Sequence, residues 1–160
     1  METMRTPQTQ PIRLACWLLL VGCLTMIFTF STQDGEASGS LSTQVTQVLV
    51  RTFSNVDIPE NSAQFASLHH LVRKLAHATV YCTLALCCAA LAHTYPLPAG
   101  ARYLTSGALC LLCATADECQ QLMRAGRSGA FTDVLIDMGG AVAGLLIFFL
   151  LRRLTLGASK

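Results

Sequence analysis

Four blocks of the chain are almost free of charge and long enough to approach the thickness of a bilayer. The first, Leu14–Phe30, runs 17 residues without a charged side chain, near the lower end of the roughly 17–25 residues a spanning helix needs. The second, Leu71–Ala92, carries Arg73, Lys74, His77 and Tyr81 in its opening turns and is apolar afterwards. The third, Tyr103–Leu122, ends in a polar cluster with Asp117, Glu118 and Gln121. The fourth, Phe131–Leu151, begins with Asp133 and Asp137 and is closed by Arg152 and Arg153. This pattern predicts an all-α integral membrane fold: a four-transmembrane-helix bundle forming one domain over residues 1–160. The Thr94–Gly100 stretch reads as a tight loop, because Pro96, Pro98 and Gly100 do not continue a helix comfortably.

The polar connection 31–70 is too long for a plain turn. Within it Leu41, Val45, Val48, Leu49 and Phe53 follow helical spacing and make one apolar face. The expectation is an amphipathic extracytoplasmic helix near 40–54, lying on the membrane surface or covering the bundle mouth. Asp57-Ile58-Pro59-Glu60 reads as a turn that starts a short helix leading into the second span.

Composition agrees with the blocks. The chain is 52% hydrophobic and 12% charged, against about 25% charged in an average soluble domain. A net charge of +2, dispersed along the chain, excludes a nucleic-acid partner. All eight cysteines fall in apolar blocks, where they read as small buried hydrophobes rather than a disulfide framework. Leu20-Val21-Gly22-Cys23 looks like a lipoprotein cleavage box, but the apolar run continues through Phe30. Residues 28–33 offer no small-x-small cleavage site either, so the first block is expected to stay as a transmembrane helix.

Orientation follows from the distribution of basic residues. With four spans both termini share one side, together with Arg5, Arg13, Arg102, Arg152, Arg153 and Lys160. The other side holds Arg51, Arg73, Lys74, Arg124 and Arg127, and every acid except Glu2. The expected placement is the cell membrane with both termini cytoplasmic.

Under that topology the polar positions of three spans reach one depth. Lys74, His77 and Tyr81 share a helix face, Asp117 and Gln121 are one turn apart beside Glu118, and Asp133 and Asp137 are one turn apart. Charge in so apolar a chain is costly and usually functional. Two readings follow: an ion-pair network clamping helix ends, or a polar pocket for an anionic or zwitterionic head group. His69-His70 and His77 lack paired ligand spacing on one helix face, so neither metal nor cofactor is expected. On the fourth span Gly140 and Gly144 continue the Asp133–Asp137 face. Small residues there let another helix approach closely, inside the bundle rather than in a dimer.

Together these residues resemble the VanZ-like membrane proteins. The resemblance rests on Phe30-Ser31-x-Gln33-x-Gly35, Arg73-Lys74-x-x-His77-x-x-x-Tyr81, Asp117-Glu118-x-x-Gln121, and Gly126-Arg127 followed by Asp133, Asp137, Gly140 and Gly144. It covers about residues 14–150. Two departures stand out: Gln120 where a histidine is frequent, and Leu122-Met123-Arg124-Ala125 before the Gly-Arg step. The resemblance implies a multi-pass bacterial protein linked to tolerance of the glycopeptide teicoplanin. The expected partners are a membrane lipid, a lipid-linked envelope precursor or the antibiotic itself. The pocket residues are then Arg73, Lys74, His77, Tyr81, Asp117, Glu118, Gln121, Arg127, Asp133 and Asp137. An alternative is an enzyme acting on a lipid-linked phosphate or amide, with His77 and Glu118 as acid and base and Arg127 stabilising charge, although neither Ser31 nor Ser128 sits in a nucleophile motif. A remote alternative is a thiol oxidoreductase using Cys110 and Cys113, whose burial between leucines opposes reactivity.

Overall fold

In the computed structural model, residues 9–32, 35–53, 58–123 and 131–157 are described, apart from the side chains of 9, 35–38, 53, 156 and 157. They form five helices: α1 (Thr9–Ser31), α2 (Gly35–Phe53), α3 (Ala63–Ala92), α4 (Ala99–Leu122) and α5 (Phe131–Gly157). Three of them contain segments long and apolar enough to cross a membrane: Gln10–Ser31, Ala63–Ala92 and Phe131–Thr155. α4 spans 24 residues, about 36 Å. Its length suffices, but Arg102, Thr105, Ser106, Asp117, Glu118, Gln120 and Gln121 dilute its apolar character.

The outer surface is apolar. Leu104, Leu112, Phe131 and Leu154 are among many large side chains left open on the outside of the bundle, a surface that suits hydrocarbon and not water. Hydroxyls inside the apolar stretches are satisfied locally: Thr25, Thr79, Thr83, Thr105, Ser106 and Thr115 each donate to the carbonyl four residues back.

α3 is the central element and packs most extensively on α5. It starts earlier than the hydropathy pattern predicts. Ser62 caps it by accepting from the Phe65 N–H at 3.1 Å, and the Pro59 carbonyl accepts from the Ser62 N–H. The expected short helix and second span are therefore one continuous 30-residue helix. α5 meets α3 through glycine: a Cβ at Gly140 would overlap the Ala78 carbonyl, and one at Gly144 would overlap the Cys82 carbonyl. The expected close approach is thus an internal seam.

α2 forms where expected but turns differently. It buries Thr46 and Val50 against the bundle, while Leu41, Val45 and Val48 of the expected apolar face are exposed. Its small hydroxyl-bearing face fits more closely against α3, with the Thr46 hydroxyl bonded to the Ser42 carbonyl. His69 Nε2 lies 3.3 Å from the Gly39 carbonyl, and Gln47 Nε2 donates to Glu60 Oε1 at 2.6 Å.

The end bearing the α1 N-terminus, the α3–α4 turn and the α5 C-terminus is basic and aromatic. Arg13 donates to the Thr94 carbonyl at 2.7 Å and lies over the Tyr95 ring, while Trp17 donates to the Tyr95 hydroxyl. His93, Tyr103, Phe148 and Phe149 form a ring cluster, beside Arg153 stacked on Phe149.

Candidate functional site

At the opposite end, four helices enclose a pocket of about 190 Å³. The last two turns of α1 supply Ile27 and Ser31, one turn apart, with Met26 and Phe30 beside them. α2 contributes Leu41 and Ser42, and α4 contributes Asp117 and Gln121. From α3 come Arg73, His77 and Tyr81, joined by Ala76 and Val80. Spacing of i, i+4, i+8 puts Arg73, His77 and Tyr81 in one row along the helix. One wall of the pocket is therefore apolar and its floor is polar.

Contacts within and between the helices hold the floor. Gln121 Nε2 donates to Asp117 Oδ2 at 3.0 Å, and the Ser31 hydroxyl donates to the Asp117 main-chain carbonyl at 3.4 Å. His77 Nδ1 stands 3.5 Å from Asp137 Oδ1, an ion-pair distance at the limit of hydrogen bonding. Asp117 and Asp137 are 3% and 1% exposed. Asp117 Oδ1, both oxygens of Asp137 and the Tyr81 hydroxyl have no hydrogen-bond partner among the described residues. Leaving a buried polar atom unpartnered costs about 1–3 kcal/mol, more for a charged group.

Of the expected site residues, Arg73, His77, Tyr81, Asp117 and Gln121 line the pocket, and Asp137 sits behind His77. Glu118 is buried but is not part of the lining, and Asp133 is half-buried one turn from Asp137. Lys74 lies about 60° around α3 from His77 and is outside the lining. Arg127, Arg124, Gly126 and Ser128 fall outside the described residues. The acid beside His77 is Asp137 rather than Glu118. Cys110 shares a thiol hydrogen bond with Cys88 of α3, and all eight cysteines are free.

Sequence reasoning missed the apolar wall. Met26, Ile27, Val80 and Leu41 give no chemical signal of their own, although Ile27 and Ser31 end α1 at the depth of Asp117. It placed the polar positions of three spans at one depth but missed how closely three of them converge. Ligand atoms of His77, Asp117 and Asp137, from α3, α4 and α5, all lie within 4.8 Å of one another. Searching for paired spacing on one helix could not find three residues that each come from a different helix.

The sequence model of the VanZ/LLP1 family matches residues 16–152. No curated protein and no solved structure matches the chain significantly.

Proposed function

The chain belongs to the VanZ/LLP1 family, and from that premise we propose that it is a four-span membrane protein whose outward-facing pocket binds the head group of a lipid or lipid-linked envelope precursor. The observation that carries this reading is the split pocket: Met26, Ile27 and Phe30 on one wall, Arg73, His77, Tyr81, Asp117 and Gln121 on the floor. An acyl or prenyl chain lies against the wall while an anionic group meets Arg73. A volume of about 190 Å³ is below the about 300–1,000 Å³ of drug-sized pockets. That favours a head group over a whole glycopeptide, so any link to teicoplanin tolerance runs through the lipid or precursor.

The fourth span is α4. Its buried side chains Ser106, Cys110, Ala114, Asp117, Glu118 and Gln121 follow one helix face, while Leu104, Leu109, Leu111 and Leu112 point outward. A helix with its polar face inside and leucines outside is stable in lipid even when its mean hydropathy is modest. α3 is about 45 Å long and exceeds a hydrocarbon core of about 30 Å by roughly ten residues. With Ala92 at one boundary, Arg73 stands at the other and His77 about 6 Å below it. α2 lies on this side, its Val45 and Val48 turned to lipid. Arg13, Arg102, Arg152 and Arg153 with the aromatic cluster support a cytoplasmic boundary at the other end, with both termini inside the cell.

The test is the lipid that copurifies in mild detergent, identified by mass spectrometry. A discrete phosphate-bearing species is expected on the parent protein and should fall several-fold in Arg73→Gln. Identical lipid complements on parent and variant would sink the reading.

A further inference from the structure

The geometry points to a divalent transition-metal site formed by His77, Asp117 and Asp137, one ligand from each of α3, α4 and α5. The three ligand atoms already lie within 4.8 Å of one another. Bonds of about 2.0–2.2 Å in tetrahedral arrangement separate ligand atoms by about 3.4 Å, so binding needs a contraction of at most about 1.4 Å. His77 Nδ1 and Asp137 Oδ1, 3.5 Å apart, are at that separation.

Two further observations point to a ligand. Asp117 Oδ1 and Asp137 Oδ2, oxygens of almost fully buried carboxylates, have no hydrogen-bond partner among the described residues. The Gln121 amide holds the other Asp117 oxygen, which fixes the carboxylate as an outer partner of a metal ligand does. Charge argues the same way. Two carboxylates in apolar surroundings need compensation, and one protonated histidine supplies a single positive charge. A divalent cation with neutral His77 balances both. One imidazole and two carboxylates suit Mn²⁺ or Zn²⁺ better than Ca²⁺ or Mg²⁺, which prefer all-oxygen shells. His77 and Asp117 line the pocket and give the ion its entry path, with the unpartnered Tyr81 hydroxyl beside it. The site stands on this geometry whether or not the pocket holds a lipid.

The test uses the full chain in detergent, stripped with chelator and titrated with Mn²⁺ alone, since the eight free cysteines would compete for Zn²⁺. One Mn²⁺ per chain is expected, with pulsed electron paramagnetic resonance showing one imidazole nitrogen on the metal. His77→Gln should remove that nitrogen signal, Asp137→Asn should weaken binding at least tenfold, and His70→Ala should change neither. No uptake by the parent, or bound Mn²⁺ without nitrogen coupling, overturns the proposal. So does binding unchanged by Asp137→Asn. The parent spectrum decides the matter even where a variant fails to fold.

Discussion

The two sides of α3 solve the problem of packing in an apolar chain in opposite ways. Toward α5, Ala78 and Cys82 meet Gly140 and Gly144 so closely that no side-chain atom fits between the backbones. Toward α1, α2 and α4, Arg73, His77 and Tyr81 face a pocket, and several buried polar atoms lack partners among the described residues. The first seam gains dispersion contacts along its length, which is what drives helix association in lipid. The second forgoes such contacts and keeps polar groups unpaired, an arrangement that persists at functional sites because the surrounding structure holds it. A rigid seam thus supports a loose, polar cleft on a neighbouring face of one helix, about 120° away.

The largest effect should come from breaking the seam. Gly140→Leu forces a side chain into the Ala78 carbonyl and should cost at least about 3 kcal/mol, seen as loss of monodisperse protein and a fall in Tm in detergent. Gly139→Ala is the matched control. A Cβ there meets nothing within 4 Å, so Tm should hold or rise, as alanine is the better helix former by about 1 kcal/mol.

Next in size is the coupling between the two sides. His77→Leu leaves the buried Asp137 without the partner that stands 3.5 Å from it and should destabilise by about 3 kcal/mol. Thermal unfolding of the double variant His77→Leu/Asp137→Leu should show a smaller loss than the two single losses added together; simple additivity would show that the pair is not coupled.

On the pocket side alone, Arg73→Gln should change stability by no more than about 0.5 kcal/mol while lowering lipid retention several-fold. A large fall in Tm would move Arg73 from ligand contact to structural clamp.

The smallest effect is at the far end of α3, where His93 caps the helix. Burial pushes its imidazole below the ordinary value of 6.5, and the nearby Arg152 and Arg102 charges add to this against the Ala89 carbonyl. The folded protein therefore binds this proton more weakly than the unfolded chain. The contribution is complete above about pH 6.5 and is lost as pH falls through the lowered value. Tm measured from pH 7 to 5 should decline less in His93→Gln than in the parent.

Much of this contrast was legible in the sequence. Block lengths gave the helices, and rise per residue put His77, Asp117 and Asp137 at one depth. Gly140 and Gly144 announced the seam through their spacing. Depth does not give azimuth, however. Sequence spacing grouped Lys74 with His77 and Tyr81, whereas the pocket takes Arg73, one turn before His77 in the same row. The polar residues 63–70 hid the first turns of α3, because hydropathy marks where lipid begins and Ser62 marks where the helix begins. α2 misled for a related reason: beside lipid, an apolar face need not be the buried one. Thr46 at full burial and Val48 exposed are the outcome.

The contrast between pocket and outer surface can be read directly by photocrosslinking in native membranes. A benzophenone side chain at Met26 sits on the pocket wall, and one at Leu112 sits on the exposed face of α4. The expected result is a discrete phosphate-bearing lipid adduct at Met26, reduced by Arg73→Gln, and bulk membrane lipid at Leu112. The same mixture of adducts at both positions would contradict a head-group pocket at this end of the bundle.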